Sequence, residues 1–304
     1  MPLDTASPHR SGRAIQAIAW AAMLLVSGLP NILFVEGIGQ SPSWLFPAKL
    51  LLMLALLAAG VVWRPARRLR MFFLVVFVLY AAEWATGRVG ELASWRDAFS
   101  GSSFVSSMAG TQLLRLIPAF VLVALLWILK RRRSAFYLVR GDTSALAEPV
   151  ALLGMKASEP WSRVGRTLAL YISLGTLLFL VLAGRPSAAA LLAAAPLLPA
   201  VLLFAAMNAF SEEMSYRASF LATLVEPLGA RQAVQLTAVF FGIGHYYGVP
   251  YGVVGVIMAG FLGWLLGKAM VETKGFFWAW FIHFLQDVMI FTFMAIGSVT
   301  PGGR

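Results

Sequence analysis

Two adjacent carboxylates and an arginine interrupt one of the most apolar parts of the sequence. In FSEEMSYRASF (residues 210–220), Glu212 and Glu213 stand side by side, and Arg217 follows Glu213 by four positions. A charge at bilayer depth costs several kcal/mol unless it is paired or hydrated. Residues four apart on a helix can form an ion pair, so Arg217 is predicted to neutralise Glu213. Glu212, about 100° around the helix, is then left to face another partner.

Two histidines lie in later apolar segments. His245 ends FGIGH, and His283 begins HFLQD, in which Asp287 follows four residues later. The segment 226–231 (EPLGAR) contains Pro and Gly, which predict a turn between two helices. Glu212 and His245 lie about 16 residues on either side of that turn, so antiparallel packing is expected to bring them level. His283 and Asp287 are predicted to project from one helix face.

A carboxylate, two imidazoles and a second carboxylate in an apolar pocket suit the activation of water. His283 can donate a hydrogen bond to a developing oxyanion, and Asp287 can do so when protonated or can act by orienting His283. The predicted reaction class is hydrolysis, with an amide bond as the target. Spacing alone leaves structural roles open: an ion pair for Glu213 and Arg217, a helix-to-helix contact for His283 and Asp287, or packing for Glu212 and His245.

The composition predicts an integral membrane protein. The chain has 304 residues, of which 60% are hydrophobic and 12% charged, whereas soluble domains carry about 25% charged residues. We predict an all-α fold, a polytopic transmembrane helical bundle of about eight or nine spans. The predicted spans cover residues 14–35, 44–63, 71–85, 113–129, 167–183, 200–225, 232–247, 251–267 and 276–296.

The excess of basic residues is interpreted as a signal of membrane orientation, and no nucleic-acid partner is expected. Basic clusters at residues 64–70 and 130–133 mark cytoplasmic loops, so the N-terminus is predicted to be cytoplasmic. The absence of cysteine excludes disulfides, thiolate nucleophiles and Cys-ligated metals. The Ala- and Arg-rich composition favours a bacterial inner (cytoplasmic) membrane.

The chain is predicted to divide into four parts. Residues 1–133 form an N-terminal transmembrane bundle of unknown role, with a flexible outer loop near residues 86–112. Residues 134–166, the most polar segment, form a cytoplasmic connection. Residues 167–296 form the C-terminal helical core that holds the active site, and residues 297–304 are a tail.

Three motifs together resemble one protein family. EEMSYR (212–217), FGIGH (241–245) and HFLQD (283–287) resemble, in the same order, the EExxxR, FxxxH and HxxxN/D motifs of the CPBP family of intramembrane proteases (CAAX protease and bacteriocin-processing, or Abi). The resemblance covers roughly residues 167–296. It implies an intramembrane endopeptidase acting on a membrane-embedded or membrane-anchored peptide or protein, with the lipid bilayer as its surroundings.

The resemblance also implies roles for the motif residues. Glu212 and His245 would activate the hydrolytic water, and His283 and Asp287 would stabilise the oxyanion. Glu213 and Arg217 would hold the first motif in place. The chain departs from the family at two positions: Ala218 stands where Gly often follows the motif arginine, and Asp287 stands where eukaryotic CAAX proteases have Asn.

Metal dependence and two other functions stay open. Glu212, His245, His283 and Asp287 would make a plausible zinc set of nitrogen and oxygen ligands, although the lack of an HExxH helix favours a metal-free site. A proton-coupled transporter could use the same polar residues as a relay, with helix breaks at Pro196/Pro199 and in YYGVPYG. A non-catalytic immunity or scaffold protein could retain them for structure. A haem carrier is disfavoured because it leaves Glu212 and Glu213 unexplained.

Overall fold

The computed structural model of the protein describes residues 8–99, 101, 103–129 and 131–300. Helices dominate this part of the chain. The helices of the first half are α1 (Pro8–Val26), α2 (Leu29–Ile38), α3 (Leu45–Val62), α4 (Arg64–Arg67), α5 (Arg70–Gly90), α6 (Ala93–Phe99) and α7 (Phe104–Ile128). Those of the second half are α8 (Trp161–Gly184), α9 (Ala188–Ala194), α10 (Leu198–Glu213), α11 (Ser219–Leu228), α12 (Ala230–Gly244), α13 (Val253–Thr273) and α14 (Phe277–Val299).

A short ribbon, a π-helix and the 3-10 helices Arg133–Phe136, Ala151–Leu153 and Ala195–Leu197 complete the secondary structure of the described residues. Strands β1 (Leu146–Ala147) and β2 (Glu159–Pro160) pair antiparallel between α7 and α8. The π-helix Met214–Ala218 connects α10 to α11. Such single π turns occur mostly inside α-helices and often at functional sites.

Helix lengths agree with the predicted membrane class. Seven described helices are long and apolar enough to cross a membrane, or eight if the bent pair α1–α2 counts as one span. The prediction of an all-α polytopic bundle is therefore confirmed. The seven candidate spans are Leu45–Val62, Arg70–Gly90, Phe104–Ile128, Trp161–Gly184, Ala188–Leu228, Val253–Thr273 and Phe277–Val299.

Three details of the predicted helix pattern are wrong. The predicted span 232–247 is α12, which has only 15 residues, about 22 Å and too short to cross a bilayer. The predicted span 14–35 is broken near Gly28. Residues 188–228 count as one 41-residue span, within which the 3-10 helix Ala195–Leu197 separates α9 from α10 at Pro196. Most of the predicted loop 86–112 is helical, in α5, α6 and α7, although Ser100 and Ser102 lie outside the described residues.

The described residues fall into two compact units. The first comprises Met1–Ala81 and Tyr216–Val271, and the second comprises Ala82–Ser215 and Glu272–Arg304, each in its described part. The predicted domain boundaries at residues 133, 166 and 296 stay predictions. Lys130, in the predicted basic cluster, and residues 301–304 of the predicted tail lie outside the described part of the chain.

The first unit is held together by aromatic packing and close helix contacts. Phe220 of α11 packs edge-on against Phe72 of α5 and Phe240 of α12, at ring-centroid distances of 5.5 and 5.2 Å. Gly229 turns α11 into α12 with φ of 80°, which glycine adopts without strain. Gly242 lets α12 approach α13, since a Cβ there would lie 2.6 Å from the carbonyl oxygen of Val256.

A buried lysine stabilises the bend in the first unit. Helices α1 and α2 are bent by 46° at their junction. Lys49 of α3 donates to the Ser27 carbonyl at 2.6 Å and to Asn31 Oδ1 at 2.5 Å. The Tyr80 hydroxyl donates to the Val26 carbonyl. These contacts supply donors to backbone carbonyls at the bend, as apolar surroundings require. We call Val26, Ser27, Asn31, Lys49 and Tyr80 the Lys49 cluster.

In the second unit, α10 packs against both α7 and α14. Phe104 and Met108 of α7, Val201 and Phe204 of α10, and Phe291 of α14 share one buried cluster. This arrangement places one face of α10 between two other helices, and the chemically unusual residues lie toward the end of α10.

The predicted connecting segment packs on the start of α14. The backbone N–H of Phe276 donates to the Val139 carbonyl at 2.8 Å, and the Trp278 indole donates to the Thr143 carbonyl at 3.0 Å. The Trp161 indole, at the start of α8, donates to Glu272 at 2.8 Å. The polar segment between α7 and α8 is thus tied to the start of α14, and the Trp161 indole joins α8 to Glu272 at the end of α13.

Candidate active site

His283 of α14 is surrounded by carboxylates in the second unit. Its Nδ1 lies 2.7 Å from Oε1 of Glu213, and both residues are buried. Its Nε2 lies 3.7 Å from Oε2 of Glu212 and 3.6 Å from Oδ2 of Asp287. These two distances exceed a direct hydrogen bond, so a water molecule or a substrate oxygen beside Nε2 can contact all three groups.

The Glu213 contact orients the imidazole. A carboxylate accepts a hydrogen bond, so Nδ1 of His283 carries the proton that it donates to Glu213. In the neutral ring Nε2 is then the acceptor, and in the charged ring it is a second donor. Either form directs Nε2 toward Glu212 and Asp287.

Glu212 is held by a cation and an amide. Nη1 of Arg115, from α7, lies 3.0 Å from Oε1 of Glu212. Nδ2 of Asn208, one turn earlier on α10, lies 3.3 Å from the same oxygen. Asn208 Nδ2 also donates to Oδ2 of Asp287 at 3.1 Å. We call Arg115, Asn208, Glu212, Glu213, His283 and Asp287 the His283 cluster.

The structure brings together the remaining predicted residues within the first unit. Arg217 is fully buried, and its guanidinium carbon lies 4.5 Å from the ring centroid of Phe241, a cation–π distance. Phe241 in turn packs against His245, with ring centroids 4.4 Å apart. Nδ1 of His245 lies 2.8 Å from the Phe241 carbonyl oxygen and donates to it, which leaves Nε2 as the acceptor of the neutral ring.

The predicted residues therefore belong to two sets. Glu212, Glu213, His283 and Asp287 are together in the second unit, and Arg217 and His245 share Phe241 in the first. The predicted ion pair of Glu213 with Arg217 and the predicted meeting of Glu212 with His245 stay predictions. Arg217 lies in a π-helix, where consecutive residues are rotated by less than the 100° of an α-helix.

Comparison with known protein families identifies the segment that contains these residues. Residues 194–289 match the family described as Rce1-like, type II CAAX prenyl endopeptidase. This segment is similar to an Rce1-like domain. It includes all six predicted site residues, and the resemblance to the CPBP and CAAX protease family is confirmed for it. Comparison with curated proteins and with solved structures gives no significant match.

The family and the helices together establish the broad class. The family that the segment matches is a protease family, and the described part of the chain contains seven helices long and apolar enough to cross a membrane. The protein is an integral membrane protein. A bacterial inner membrane and a cytoplasmic N-terminus stay predictions.

Two members of the His283 cluster were missed by sequence reasoning. Asn208 precedes Glu212 by four residues, so helical spacing alone could have placed both on one face. Arg115 lies outside the Rce1-like domain, in a predicted span, where a lone arginine was itself a signal. Its partner could not be recognised, because Arg115 and Glu212 are 97 residues apart in sequence.

The donor set does not fit the zinc site that the sequence left open. Among the described residues no group of three or more His, Asp or Glu side chains is arranged to hold a metal ion. In the His283 cluster, Oε1 of Glu212 and Oδ2 of Asp287 accept hydrogen bonds from Arg115 and Asn208. One oxygen of each of these carboxylates is thus engaged by a hydrogen-bond donor, and the function proposed below routes no step through a metal.

Proposed function

We propose that the protein is an intramembrane endopeptidase that hydrolyses a peptide bond of a membrane-embedded or membrane-anchored peptide or protein. Its Rce1-like domain belongs to a protease family. The observation that carries the proposal is the position of His283 Nε2, 3.7 Å from Glu212 and 3.6 Å from Asp287, on helices apolar enough to cross a membrane.

Glu212 is the general base of this proposal. Its Oε1 is held by Arg115 and Asn208, whereas Oε2 faces His283. Oε2 takes a proton from water as the water oxygen attacks the scissile carbonyl carbon. When the carbon–nitrogen bond breaks, Glu212 returns this proton to the leaving amine, so that the carboxylate is regenerated.

His283 stabilises the oxyanion in the same scheme. Its charged form donates from Nε2 to the carbonyl oxygen as negative charge develops there, while Nδ1 remains bonded to Glu213. Asp287 lies beside Nε2 and orients the imidazole. His245 is assigned to the hydrolytic water by the FxxxH motif alone, and Glu213 and Arg217 are assigned to holding the first motif by EExxxR.

The test compares new protein termini in membrane proteomes of cells that express wild type or Glu212→Gln. We expect wild type to generate termini that Glu212→Gln, at equal abundance, does not, since general base catalysis contributes about 10²–10⁴-fold. Glu91→Gln is the matched control, because Glu91 is 65% exposed and pairs with Arg88 away from this cluster. Identical termini for wild type and Glu212→Gln would contradict the proposal and favour a transport or structural role.

A further inference from the structure

Arg115 is a charged residue near the middle of a helix that could cross the membrane. It lies in α7 (Phe104–Ile128), which has no other charged residue and is not part of the Rce1-like domain. Its side chain is 51% exposed. A cation at this depth is costly unless it has a polar partner or faces a hydrated space. The presence of an arginine here therefore needs an explanation that the matched family segment does not supply.

The contacts of Arg115 are directed at the proposed base. Nη1 donates to Oε1 of Glu212 at 3.0 Å and to Oδ1 of Asn208 at 2.6 Å. Because a guanidinium can only donate, the Asn208 atom that faces it must be the amide oxygen. The Asn208 nitrogen is then turned to Glu212 and Asp287, at 3.3 and 3.1 Å. The orientation of the Asn208 amide thus follows from its neighbours.

We infer that Arg115 and Asn208 are a positioning pair for the proposed base Glu212. They hold one of its carboxylate oxygens in place and leave the other oxygen for the reaction. Oε1 receives both donors, while Oε2 is left toward His283 and the reacting water. The positive charge of Arg115 also opposes the repulsion between the carboxylates of Glu212 and Asp287. This inference rests on the proposed function.

The pairing gives the N-terminal half of the chain a part in catalysis. Asn208 is buried and lies within the Rce1-like domain, but the cation that orients it comes from α7. A truncated protein reduced to the matched segment would lack Arg115. The full chain is therefore the unit to test.

The experiment has two stages and uses full-length protein. Membrane proteomes are first compared for cells expressing wild type, Glu212→Gln, Arg115→Gln, Arg115→Lys and the control Arg88→Gln. The bond that wild type cleaves is then placed in a fluorogenic reporter peptide, and kcat and KM are measured for each purified variant. Arg88 is a matched control because it pairs with Glu91 at 2.8 Å, a similar distance, but both side chains are more than 60% exposed.

We expect Arg115→Gln to lower kcat by about 10- to 100-fold with KM within about 2-fold, because a misplaced base loses reactivity without losing substrate affinity. Arg115→Lys keeps the charge but loses the planar fork, so its kcat should fall by about 3- to 10-fold. Arg88→Gln should match wild type. The lysine variant also serves if the glutamine variant does not fold.

Three outcomes would overturn the inference. The first is a wild-type kcat in Arg115→Gln and Arg115→Lys, and the second is a loss confined to KM, which indicates substrate binding instead. The third is an equal loss in Arg88→Gln. All three require that Glu212→Gln abolishes cleavage; if wild type and Glu212→Gln give the same termini, the proposed function itself fails and the inference fails with it.

Discussion

The protein buries two polar clusters in apolar helices, one in each unit, and their chemistry is opposite. In the Lys49 cluster a single cation contacts neutral acceptors, the Ser27 carbonyl and Asn31 Oδ1, at 2.6 and 2.5 Å. In the His283 cluster three carboxylates surround one imidazole, and a guanidinium and an amide contact two of them.

The two clusters also differ in the distances between their contacting atoms. Both contacts of Lys49 are short hydrogen bonds, and they supply donors at the bend between α1 and α2. His283 Nε2 instead lies 3.6 and 3.7 Å from two acceptors, a spacing that a reacting molecule can complete. A buried charge in a membrane helix thus has two distinct explanations. It can donate hydrogen bonds to the carbonyls at a helix bend, or it can belong to a set of side chains that face one point where a substrate can bind.

The largest effect that this comparison predicts is for His283→Gln. Loss of the imidazole removes the proposed donor to the oxyanion, so kcat should fall by about 10²–10³-fold. The fall in kcat would be measured on purified protein with the reporter peptide, beside the melting temperature. If instead His283 were only a packing residue like those around Lys49, kcat per folded molecule would not change.

A control on the same helix makes this prediction specific. Thr292 of α14 donates to the carbonyl of Val288 in its own helix, at 2.6 Å. Thr292→Val removes one local hydrogen bond and keeps the side-chain shape. We expect a wild-type kcat for Thr292→Val, and an equal loss in both variants would contradict a special role for His283.

The fold class was predictable because long apolar runs require helices in a membrane, but helix ends and bends were not. The bend near Gly28 lies inside an apolar run, and its donors come from Lys49 and Tyr80, 22 and 54 residues away from their acceptors. The hydrophobicity of a segment does not indicate such distant hydrogen-bond partners. Likewise, α12 ends at Gly244, and residues 245–247 form a turn instead of continuing the helix.

The site was predictable where its residues share a helix. Helical spacing predicts that His283 and Asp287 share a face, and Nε2 and Oδ2 are 3.6 Å apart. The contact of His283 with Glu213 joins residues 70 apart in sequence, and that of Arg115 with Glu212 joins residues 97 apart. Such contacts depend on how α10 packs against α7 and α14, which spacing along one helix does not determine.

The second prediction concerns the Lys49 cluster, where a substitution is expected to change stability and leave catalysis unchanged. Lys49→Met keeps the apolar stem but leaves the Ser27 carbonyl and Asn31 without their donor, which should lower the free energy of unfolding by about 1–3 kcal/mol. The catalytic rate per folded molecule should not change, because Lys49 is outside the proposed site. Both quantities would be measured on detergent-purified protein, by thermal melting and with the reporter peptide.

Arg67→Met is the control for burial. Arg67 also donates to a backbone carbonyl, that of Val61 at 3.1 Å, but it is exposed. Its substitution should leave the melting temperature nearly unchanged, since surrounding solvent replaces the donor. A reduced kcat in Lys49→Met without any loss of stability would contradict the structural role assigned to the Lys49 cluster.

The smallest effect is expected for an exposed contact in the first unit. The Tyr251 hydroxyl donates to Glu36 at 2.5 Å, and the side chain is 59% exposed. This hydrogen bond is the main cause that raises the pKa of Tyr251 above its ordinary range. The raised pKa means that any stability it contributes is present at neutral pH and is lost only as the pH rises through the folded-state pKa.

We therefore expect Tyr251→Phe to leave the melting temperature and kcat at neutral pH unchanged within measurement error, because solvent hydrogen bonds to an exposed carboxylate. Glu36→Gln should lower the pKa of Tyr251 toward its ordinary value. This pKa would be measured from tyrosinate absorbance, and Tyr251→Phe would identify the signal of Tyr251. The short distance to Glu36 is similar to that of Lys49 to Asn31, so the two pairs differ mainly in burial. If Tyr251→Phe destabilised the protein as much as Lys49→Met, then burial would not be what makes the Lys49 contacts strong, and hydrogen-bond length alone would have to explain both.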